Sequence, residues 1–320
     1  MGKNVLVTGG SGRLGNIVCC YLKEQGYNVS SFDVMPPAPD SGNAKAGIPF
    51  VQGNLTNLGD CLRAIAFGQP DVIVHLGAIT HNVELQPPYA KKYTPLMDGV
   101  RRTWTQPEWD TMEINTMGSY YIADAARRMG VKKIVAASSY FVLGIGFRLS
   151  GTSYKPEYLP MDEDHPLLPE DTYSLSKVLG EEIYKSFCRA YSMQFVAMRL
   201  LGVYYYNWAG NKHEFNVTVP AATKEDEGAL VSNTYQYVDA RDIAIFVKLS
   251  IEATNLNPFE AFYVSTDTKY TEPTSVIVAR RWPFLAEMAK DIPGTEGIIS
   301  IKKAEKMLGY KPQYSWRNKK

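Results

Sequence analysis

Three glycines near the start of the chain are spaced so that they could hold phosphate groups. Gly9, Gly12 and Gly15 follow an apolar run at residues 5–7 and surround the start of a helical pattern at Arg13. Glycines in a strand-to-helix turn allow a tight turn, close approach of the backbone to a pyrophosphate, and close packing of helix on strand. The phosphates would face the unpaired N–H groups at the positive end of the helix. This spacing predicts a dinucleotide site, against the alternative of a glycine-rich turn without a ligand.

Asp33 stands about 18 residues after Gly15, at the predicted end of the second strand. An acidic side chain at that place accepts hydrogen bonds from the adenosine ribose hydroxyls and repels a 2′-phosphate. Asp33 therefore favours NAD over NADP, unless it only ends a strand, and Arg13 is the one residue that argues for NADP. Asn54, in the loop after the third strand, could accept a hydrogen bond from the adenine amino group, although an exposed loop asparagine explains it almost as well.

Strands and helices alternate along the chain in a way that would place these residues at one edge of a sheet. Strands are predicted near residues 5–7, 29–34, 50–51, 72–74, 134–135, 195–198 and 235–238, and helices near 13–26, 56–66, 108–129, 170–192 and 242–253. The alternation predicts right-handed βαβ units and an α/β fold, a doubly wound parallel Rossmann sheet with a smaller C-terminal substrate-binding lobe.

Domain boundaries follow from the same pattern. Residues 1–200, with a contribution from 234–253, are predicted to form the dinucleotide-binding domain, and residues 201–320 mainly an interleaved substrate-binding lobe. The segments 81–107, 145–170 and 203–233 are rich in Pro, Tyr and Gly and are too long to be simple connections. Such loops usually form binding walls, so we expect them to border the substrate.

Composition limits the partners of the protein. A net charge of +1 over 320 residues gives no basic field for nucleic acid or an anionic membrane. Apolar runs fall far short of the ~20 residues that span a bilayer, and no signal-peptide pattern opens the chain. We therefore expect a cytoplasmic protein with a small-molecule substrate. The spacing of Cys19, Cys20, Cys61 and Cys188 suggests buried free thiols, without a metal site or disulfides.

The Gly-x-x-Gly-x-x-Gly spacing resembles that of the extended branch of the short-chain dehydrogenase/reductase superfamily, the NAD-dependent epimerase/dehydratase family. Further motifs similar to those of that branch follow in order: His75-Leu76-Gly77-Ala78, Asn115-Thr116-Met117-Gly118, Ala137-Ser138-Ser139, Tyr173-Ser174-Leu175-Ser176-Lys177, Met198-Arg199-Leu200, Tyr237 to Asp242 and Leu308 to Pro312. The resemblance implies NAD as the cofactor. It implies that the cofactor is bound by Gly9, Gly12, Arg13, Leu14, Gly15, Asp33, Asn54, Leu55, Leu76, Gly77, Ala78, Asn115, Tyr173 and Lys177, with His75 structural.

The resemblance also implies that Ser139, Tyr173 and Lys177 are the catalytic residues. The four-residue spacing places Tyr173 and Lys177 on one face of a helix. A cation beside a phenol favours the phenolate, so we expect the pKa of Tyr173 to fall from about 10 toward working pH. Lys177 would also hold the nicotinamide ribose. Ser139 would hydrogen-bond the substrate oxygen and stabilise the charge that develops on it.

Departures from the branch's motifs narrow the reaction. Dehydratases of the branch carry an Asp-Glu pair where this chain has Tyr140 and Phe141, so dehydration is disfavoured. UDP-sugar epimerases often carry an asparagine where this chain has Gly202, which weakens the case for a diphosphate sugar. The stretch that ends Val142-Leu143-Gly144 is most similar to uronate dehydrogenases, which oxidise a free sugar acid with NAD. This chain is longer than those enzymes, so their particular sugar acid is not implied.

An anionic substrate would need a cation opposite it. The candidates are Arg148, Lys212, His213 and Arg241, beside Ser139 and Tyr140 as further substrate contacts, although a lone surface arginine or lysine is more often solvated and His213 is more often a loop residue. The aromatic run 204–208 could stack on a sugar, but packing of the lobe is the commoner role.

Together these residues predict an NAD-dependent oxidoreductase acting on a carbohydrate or a related hydroxy or keto substrate, with a sugar or sugar-acid dehydrogenase as the leading function. The alternatives are a nucleotide-sugar 4-epimerase that retains its NAD and a catalytically silent dinucleotide-binding sensor. Intact Ser139, Tyr173 and Lys177 argue against the sensor. Relatives dimerise through the helix that bears Tyr173 and the helix before it, so a homodimer is expected. The apolar stripe within residues 122–126 suits such packing or burial on the sheet.

Overall fold

The computed structural model describes residues 2–80, 108–145, 148–150, 152, 154–207, 214–222 and 234–318. Seven strands form one sheet: β1 (Asn4–Thr8), β2 (Asn28–Asp33), β3 (Phe50–Gln52), β4 (Val72–His75), β5 (Lys133–Ser139), β6 (Gln194–Leu200) and, at one edge, Phe259–Val264. The spatial order is β3-β2-β1-β4-β5-β6 followed by Phe259–Val264, and every neighbouring pair is parallel. The doubly wound parallel sheet predicted from the sequence is confirmed.

Helices cover both faces of this sheet. In chain order they are α1 (Arg13–Glu24), α2 (Gly42–Lys45), α3 (Leu58–Gly68), α4 (Glu108–Thr111), α5 (Gly118–Arg128), α6 (Thr172–Tyr191), α7 (Ala240–Glu252), α8 (Thr274–Arg281), α9 (Ala286–Ala289) and α10 (Lys302–Leu308). A π-helical stretch, Met112–Met117, joins α4 to α5. The short 3₁₀ helices are Tyr140–Leu143, Pro283–Leu285 and Trp316–Asn318.

Alternation along the strands divides the core into two layers. On β1, Val5 and Val7 face the layer that includes α1 and α7, whereas Leu6 between them faces the layer that includes α3, α5 and α6. This period of two is what a strand buried on both faces requires. The stripe at residues 122–126 is fully buried in the second layer at its four apolar positions, so it packs against this chain's own core.

A second, small three-stranded sheet begins just after the carboxyl end of β6. It consists of β7 (Gly202–Tyr204), β8 (Gln236–Asp239) and a two-residue strand, Asp267–Thr268, with β8 in the middle. The chain pattern suggests that the strand at 235–238 is part of a βαβ unit of the main sheet, but β8 pairs in the small sheet. The main-sheet edge is taken instead by Phe259–Val264, here called β9, whose buried Glu260 breaks the apolar pattern and pairs with Lys303 at 2.6 Å.

Four free thiols are present, and those of Cys19, Cys61 and Cys188 are buried, as the spacing of the cysteines suggests. Across the described ranges, no helix combines the length and apolar character needed to cross a membrane.

Candidate active site

The glycine turn between β1 and α1 is closely packed on two sides and open on the third. Gly9 has φ +67°, and a Cβ there would lie 2.7 Å from the backbone nitrogen of Gly77. A Cβ on Gly15 would lie 2.0 Å from the carbonyl oxygen of Gly9, so neither position accepts a side chain. A Cβ on Gly12 would meet only that carbonyl oxygen, at 3.1 Å. The turn thus leaves its open side at Gly12, where α1 begins.

That open side has the donors that an anionic group needs. No side chain caps the N-terminus of α1, and its first turn contains no acidic residue, so its N–H groups remain available. The Ser11 hydroxyl is buried without a hydrogen-bond partner among the described residues. The Leu14 side chain packs on the core, so only the backbone of this residue faces the open side of the turn. A pyrophosphate fits this turn, because it would supply the acceptors that these donors lack.

Asp33 ends β2 beside the same turn. Its Oδ2 accepts a hydrogen bond from the Ser11 N–H at 3.1 Å, and its Oδ1 accepts one from the Met35 N–H at 3.4 Å. The carboxylate therefore lies next to the phosphate turn, where a 2′-phosphate would meet its negative charge. Arg13 points elsewhere, because its guanidinium lies over the ring of Tyr205, 5.8 Å from the centroid.

Asn54 and Leu55 lie in the loop after β3. The Asn54 amide oxygen accepts the Thr56 N–H at 3.0 Å, which uses one of its two lone pairs in a local turn. Leu55 is buried, and its side chain occupies the space that a Cβ on Gly77 would need, at 2.6 Å. Leu55 therefore seals the floor beneath the loop that follows β4.

The loop after β4 is tied to the end of β1. The backbone N–H groups of Leu76 and Gly77 donate to the carbonyl and the hydroxyl of Thr8, both at 3.2 Å, and Ala78 follows half-buried. The same hydroxyl lies 2.7 Å from His75 Nδ1. Burial, with a smaller contribution from the Lys177 charge, lowers the pKa of His75 to about 3. His75 is thus a neutral structural residue, in line with the role that the resemblance implies.

His75 is expected to make the fold sensitive to acid. The folded state keeps it neutral to about pH 3, whereas an unfolded histidine binds a proton below about pH 6.5. Between those values the unfolded state binds more protons, so the free energy of unfolding falls as pH decreases. In His75→Asn this slope between pH 6 and 4 should be shallower by up to about 1.4 kcal/mol per pH unit. Urea unfolding at stepped pH measures it, and equal slopes in both proteins would contradict the assignment.

Asn115 lies in the π-helical stretch and binds protein groups on both ends of its amide. Its Oδ1 accepts the Ile79 N–H at 2.8 Å, and its Nδ2 donates to the Ile79 carbonyl and to Ser176 Oγ, both at 3.0 Å. Both amide hydrogens and one lone pair of the amide oxygen are therefore used within the chain. Asn115 fixes the loop after β4 against α6, and π turns of this kind are frequent at functional sites.

Ser139, Tyr173 and Lys177 come together at the carboxyl end of β5. Asp171 caps α6 by accepting the Ser174 N–H at 2.8 Å, which places Tyr173 in the first turn. The Tyr173 phenol lies close enough to the Ser139 hydroxyl to be influenced by it, and Ser139 Oγ accepts the Phe141 N–H at 3.2 Å. Lys177 Nζ lies 5.7 Å from the Tyr173 ring centroid and donates to the Ala137 carbonyl at 3.1 Å. The predicted trio is thus adjacent and buried.

The protonation of this trio differs from the expectation. Burial raises the pKa of Tyr173 to about 12, and the hydrogen bond from Ser139 only partly offsets it. Burial also lowers the pKa of Lys177 to about 8. The predicted lowering of the Tyr173 pKa by Lys177 is therefore absent in this structure, because loss of water around the phenol outweighs a cation that is bonded to Ala137.

A buried ion pair holds α6, the helix that bears Tyr173, against β5 and β6. The sequence does not reveal it as a pair. Arg199 binds Glu181 through two hydrogen bonds of 3.0 and 2.9 Å, and Ser138 donates to the same carboxylate at 2.7 Å. Glu181 lies on α6 four residues after Lys177. An acidic residue on the buried face of this helix was the one sign in the sequence that a buried cation would pair with it.

Two of the cations proposed to face an anionic substrate have acidic partners within the chain. Arg148 forms an ion pair with Glu170 at 2.7 Å, and Arg241 forms one with the fully buried Asp239 at 2.7 Å. The Arg241 guanidinium also lies over the rings of Tyr206 and Tyr314, at 4.1 and 3.9 Å. An anionic substrate at either arginine would therefore share it with a carboxylate of this chain. Lys212 and His213 lie outside the described residues.

Tyr140, predicted to contact the substrate, begins the 3₁₀ helix that follows Ser139. Its ring packs against Phe141 at 4.4 Å, and the Phe141 ring in turn lies edge-on to Tyr173 at 6.3 Å. Burial raises the pKa of the Tyr140 phenol, so it stays neutral. Aromatic rings thus stand where a dehydratase of the branch would place its carboxylates. No group of three or more His, Cys, Asp or Glu side chains that could hold a metal occurs within the described part of the chain.

Comparison with known proteins gives a family match over most of the chain. A model described as the NAD dependent epimerase/dehydratase family matches residues 5–93 and 96–264. The chain is 27% identical, over 320 aligned residues, to a protein of Methanocaldococcus jannaschii named putative UDP-glucose 4-epimerase, with 97% of this chain and 93% of that protein covered.

Solved structures agree with the fold. A structure titled mutated uronate dehydrogenase matches with a TM-score of 0.62 at 19% identity and covers 99% of this chain and 85% of that one. A short-chain dehydrogenase/reductase superfamily protein from Agrobacterium tumefaciens, titled with bound NAD, matches with a TM-score of 0.64 at 19% identity, over 97% and 93% of the two chains. At these identities the likeness establishes the Rossmann architecture alone.

Proposed function

Because the chain belongs to the NAD-dependent epimerase/dehydratase family, we propose that this enzyme oxidises a hydroxyl group of a carbohydrate with NAD as the hydride acceptor. The membership confirms the resemblance that the motifs indicate. The observation that carries the proposal is the buried cluster of Tyr173 and Ser139 at the carboxyl end of β5, with Lys177 beside the phenol. A phenol and a hydroxyl held in contact can bind one substrate oxygen and exchange its proton.

The proton has a defined path in this arrangement. As phenolate, Tyr173 accepts the proton of the substrate hydroxyl, whose O–H electron pair becomes the second bond of the carbonyl. Ser139 donates to that oxygen and stabilises the charge that develops on it. NAD, when bound, takes the hydride that leaves the same carbon. Because burial raises the pKa of Tyr173 to about 12, oxidation should accelerate as pH increases, whereas reduction finds the phenol already protonated.

The cofactor would be held by the glycine turn and by Asp33. The buried Ser11 hydroxyl and the uncapped start of α1 support phosphate binding, and the Asp33 carboxylate supports NAD over NADP. Leu76, Gly77 and Ala78 would border the nicotinamide half of the cofactor. Residues 1–200, together with α7 and β9, would form most of the dinucleotide-binding domain. The rest of residues 201–320 would hold the substrate.

A sugar or sugar-acid dehydrogenase is the first candidate, and it is supported by Gly202 and by the stretch Val142-Leu143-Gly144. A nucleotide-sugar 4-epimerase is the second, and the name of the M. jannaschii relative favours it. Both begin with the same oxidation at a hydroxyl carbon. They differ in whether the reduced cofactor is released or returns its hydride to the other face of the sugar.

A substrate panel separates the two candidates. Sugars, sugar acids and nucleotide sugars are mixed with catalytic amounts of enzyme and excess NAD or NADP. A dehydrogenase produces NADH at 340 nm far beyond the enzyme concentration, and with NAD more efficiently than with NADP. An epimerase converts a nucleotide sugar without net absorbance change, which anion-exchange chromatography of the products detects. Absence of both results across the panel would reject the carbohydrate assignment.

We also propose that the enzyme is a cytoplasmic homodimer. Free buried thiols suit a reducing compartment. Trp109 on α4, Tyr120 on α5 and Leu175 on α6 are 69%, 41% and 40% exposed, which is unusual for apolar side chains on neighbouring helices. Burial of these side chains in a partner would account for them. Light scattering should then give twice the 35.8 kDa chain mass, and a monomer would contradict the proposal.

A further inference from the structure

Tyr205 connects the two halves of the site. It follows β7 in the small sheet, and its ring lies 5.8 Å from the guanidinium of Arg13, the first residue of α1. A cation within about 6 Å of a ring centroid is attracted to the ring face. The contact therefore joins the start of α1 to the segment that follows β7.

Tyr205 is also a neighbour of the catalytic phenol. Burial raises the pKa of Tyr205 and the Arg13 charge partly offsets this, while the Tyr205 charge in turn contributes to the raised pKa of Tyr173. The half-buried Tyr205 follows the carboxyl end of β6 by five residues, so it lies on the same edge of the main sheet as the glycine turn and Ser139. A dinucleotide with its phosphates on the glycine turn and its reactive ring at Tyr173 would extend along this edge, where Arg13 and Tyr205 are in contact.

We propose that Arg13 and Tyr205 form a clasp that closes over the dinucleotide between the glycine turn and Tyr173 and slows its release. Arg13 is well placed for this because it is exposed at the helix start, while Asp33 already accepts the Ser11 N–H. Tyr205 forms the opposite side of the clasp. It directly follows β7, so the small sheet fixes its position. The clasp rests on NAD binding alone and not on which sugar is oxidised.

The test measures cofactor release without turnover. Protein loaded with NADH is mixed with excess NAD, and the loss of bound NADH fluorescence gives the dissociation rate. Arg13→Ala and Tyr205→Leu should each release NADH about three- to tenfold faster. Tyr205→Phe, which keeps the ring face, should stay close to the wild type. Tyr206→Ala is the matched control, because that neighbouring ring contacts Arg241.

The double variant Arg13→Ala/Tyr205→Leu decides whether the two residues act together. A clasp requires both members, so the double variant should release NADH no faster than the faster single variant. Multiplicative effects would show that Arg13 merely attracts the phosphates, and would overturn the proposal. An unchanged rate in Arg13→Ala would overturn it as well, and this exposed residue can be replaced without disturbing the fold.

Discussion

Replacing Tyr173 with Phe should lower kcat by about 10²- to 10⁴-fold, the usual contribution of a positioned acid–base group. The substitution removes the phenol hydroxyl, which lies beside Ser139. Binding of NAD should change little, because the phosphate turn and Asp33 lie on other elements. Steady-state rates at 340 nm, or product formation for an epimerase, together with NADH titration, separate the two effects.

Tyr184→Phe is the matched control for that substitution. Tyr184 is buried on the same helix, but its ring stacks on Phe195 at 4.7 Å in the core beneath the sheet. It should keep most of the wild-type rate. If Tyr173→Phe retained full activity, or if both variants lost activity equally, the catalytic assignment of Tyr173 would be wrong.

Arg199→Met should destabilise the protein by about 3–5 kcal/mol, because it leaves the Glu181 carboxylate buried and unpaired. The side chains of both residues are almost completely inaccessible, at 4% and 1%, and their bidentate contact joins α6 to β6. The double variant Arg199→Met/Glu181→Leu removes both charges and should recover more than half of the loss. Urea unfolding followed by circular dichroism gives the changes.

An exposed ion pair on the same helix provides the comparison. Lys185 and Glu182 lie 2.7 Å apart with side chains 33% and 55% exposed, so Lys185→Ala should cost less than about 1 kcal/mol. If Arg199→Met also lowered the free energy of unfolding by less than about 1 kcal/mol, the buried pair would not hold α6 in place.

Local patterns were enough to predict the sheet and the glycine turn. The apolar run of β1 and the turn after it, with φ +67° at Gly9 and with Gly15 against the Gly9 carbonyl, depend on neighbouring residues, so they are visible in the sequence. The four-residue spacing of Tyr173 and Lys177 also predicts correctly that the two side chains lie next to each other on one helix. The place of β9 could not be predicted, because its buried Glu260 depends on Lys303, 43 residues further along the chain, and on Asn257.

Electrostatics at the site was the part that required tertiary structure. The sequence shows that Lys177 follows Tyr173, but not that burial outweighs its charge. Arg148 and Arg241 look available as anion ligands until Glu170 and Asp239 are seen beside them. Asn115 carries a family motif, yet its partners Ile79 and Ser176 come from separate elements. Long-range partners of this kind have no signature in a single sequence.

The most direct test of hydride transfer through Tyr173 is a single turnover at 340 nm. Wild-type enzyme in excess over an active substrate from the panel, and saturated with NAD, should give a rapid rise in absorbance of bound NADH when the reaction is a dehydrogenation. For an epimerisation, the epimer formed in that turnover is quantified after quenching. Formation of NADH or of epimer should be at least 10²-fold slower in Tyr173→Phe, with NAD still bound. Equally fast formation in Tyr173→Phe, or oxidation of the substrate by the wild type with no rise at 340 nm, would contradict the account.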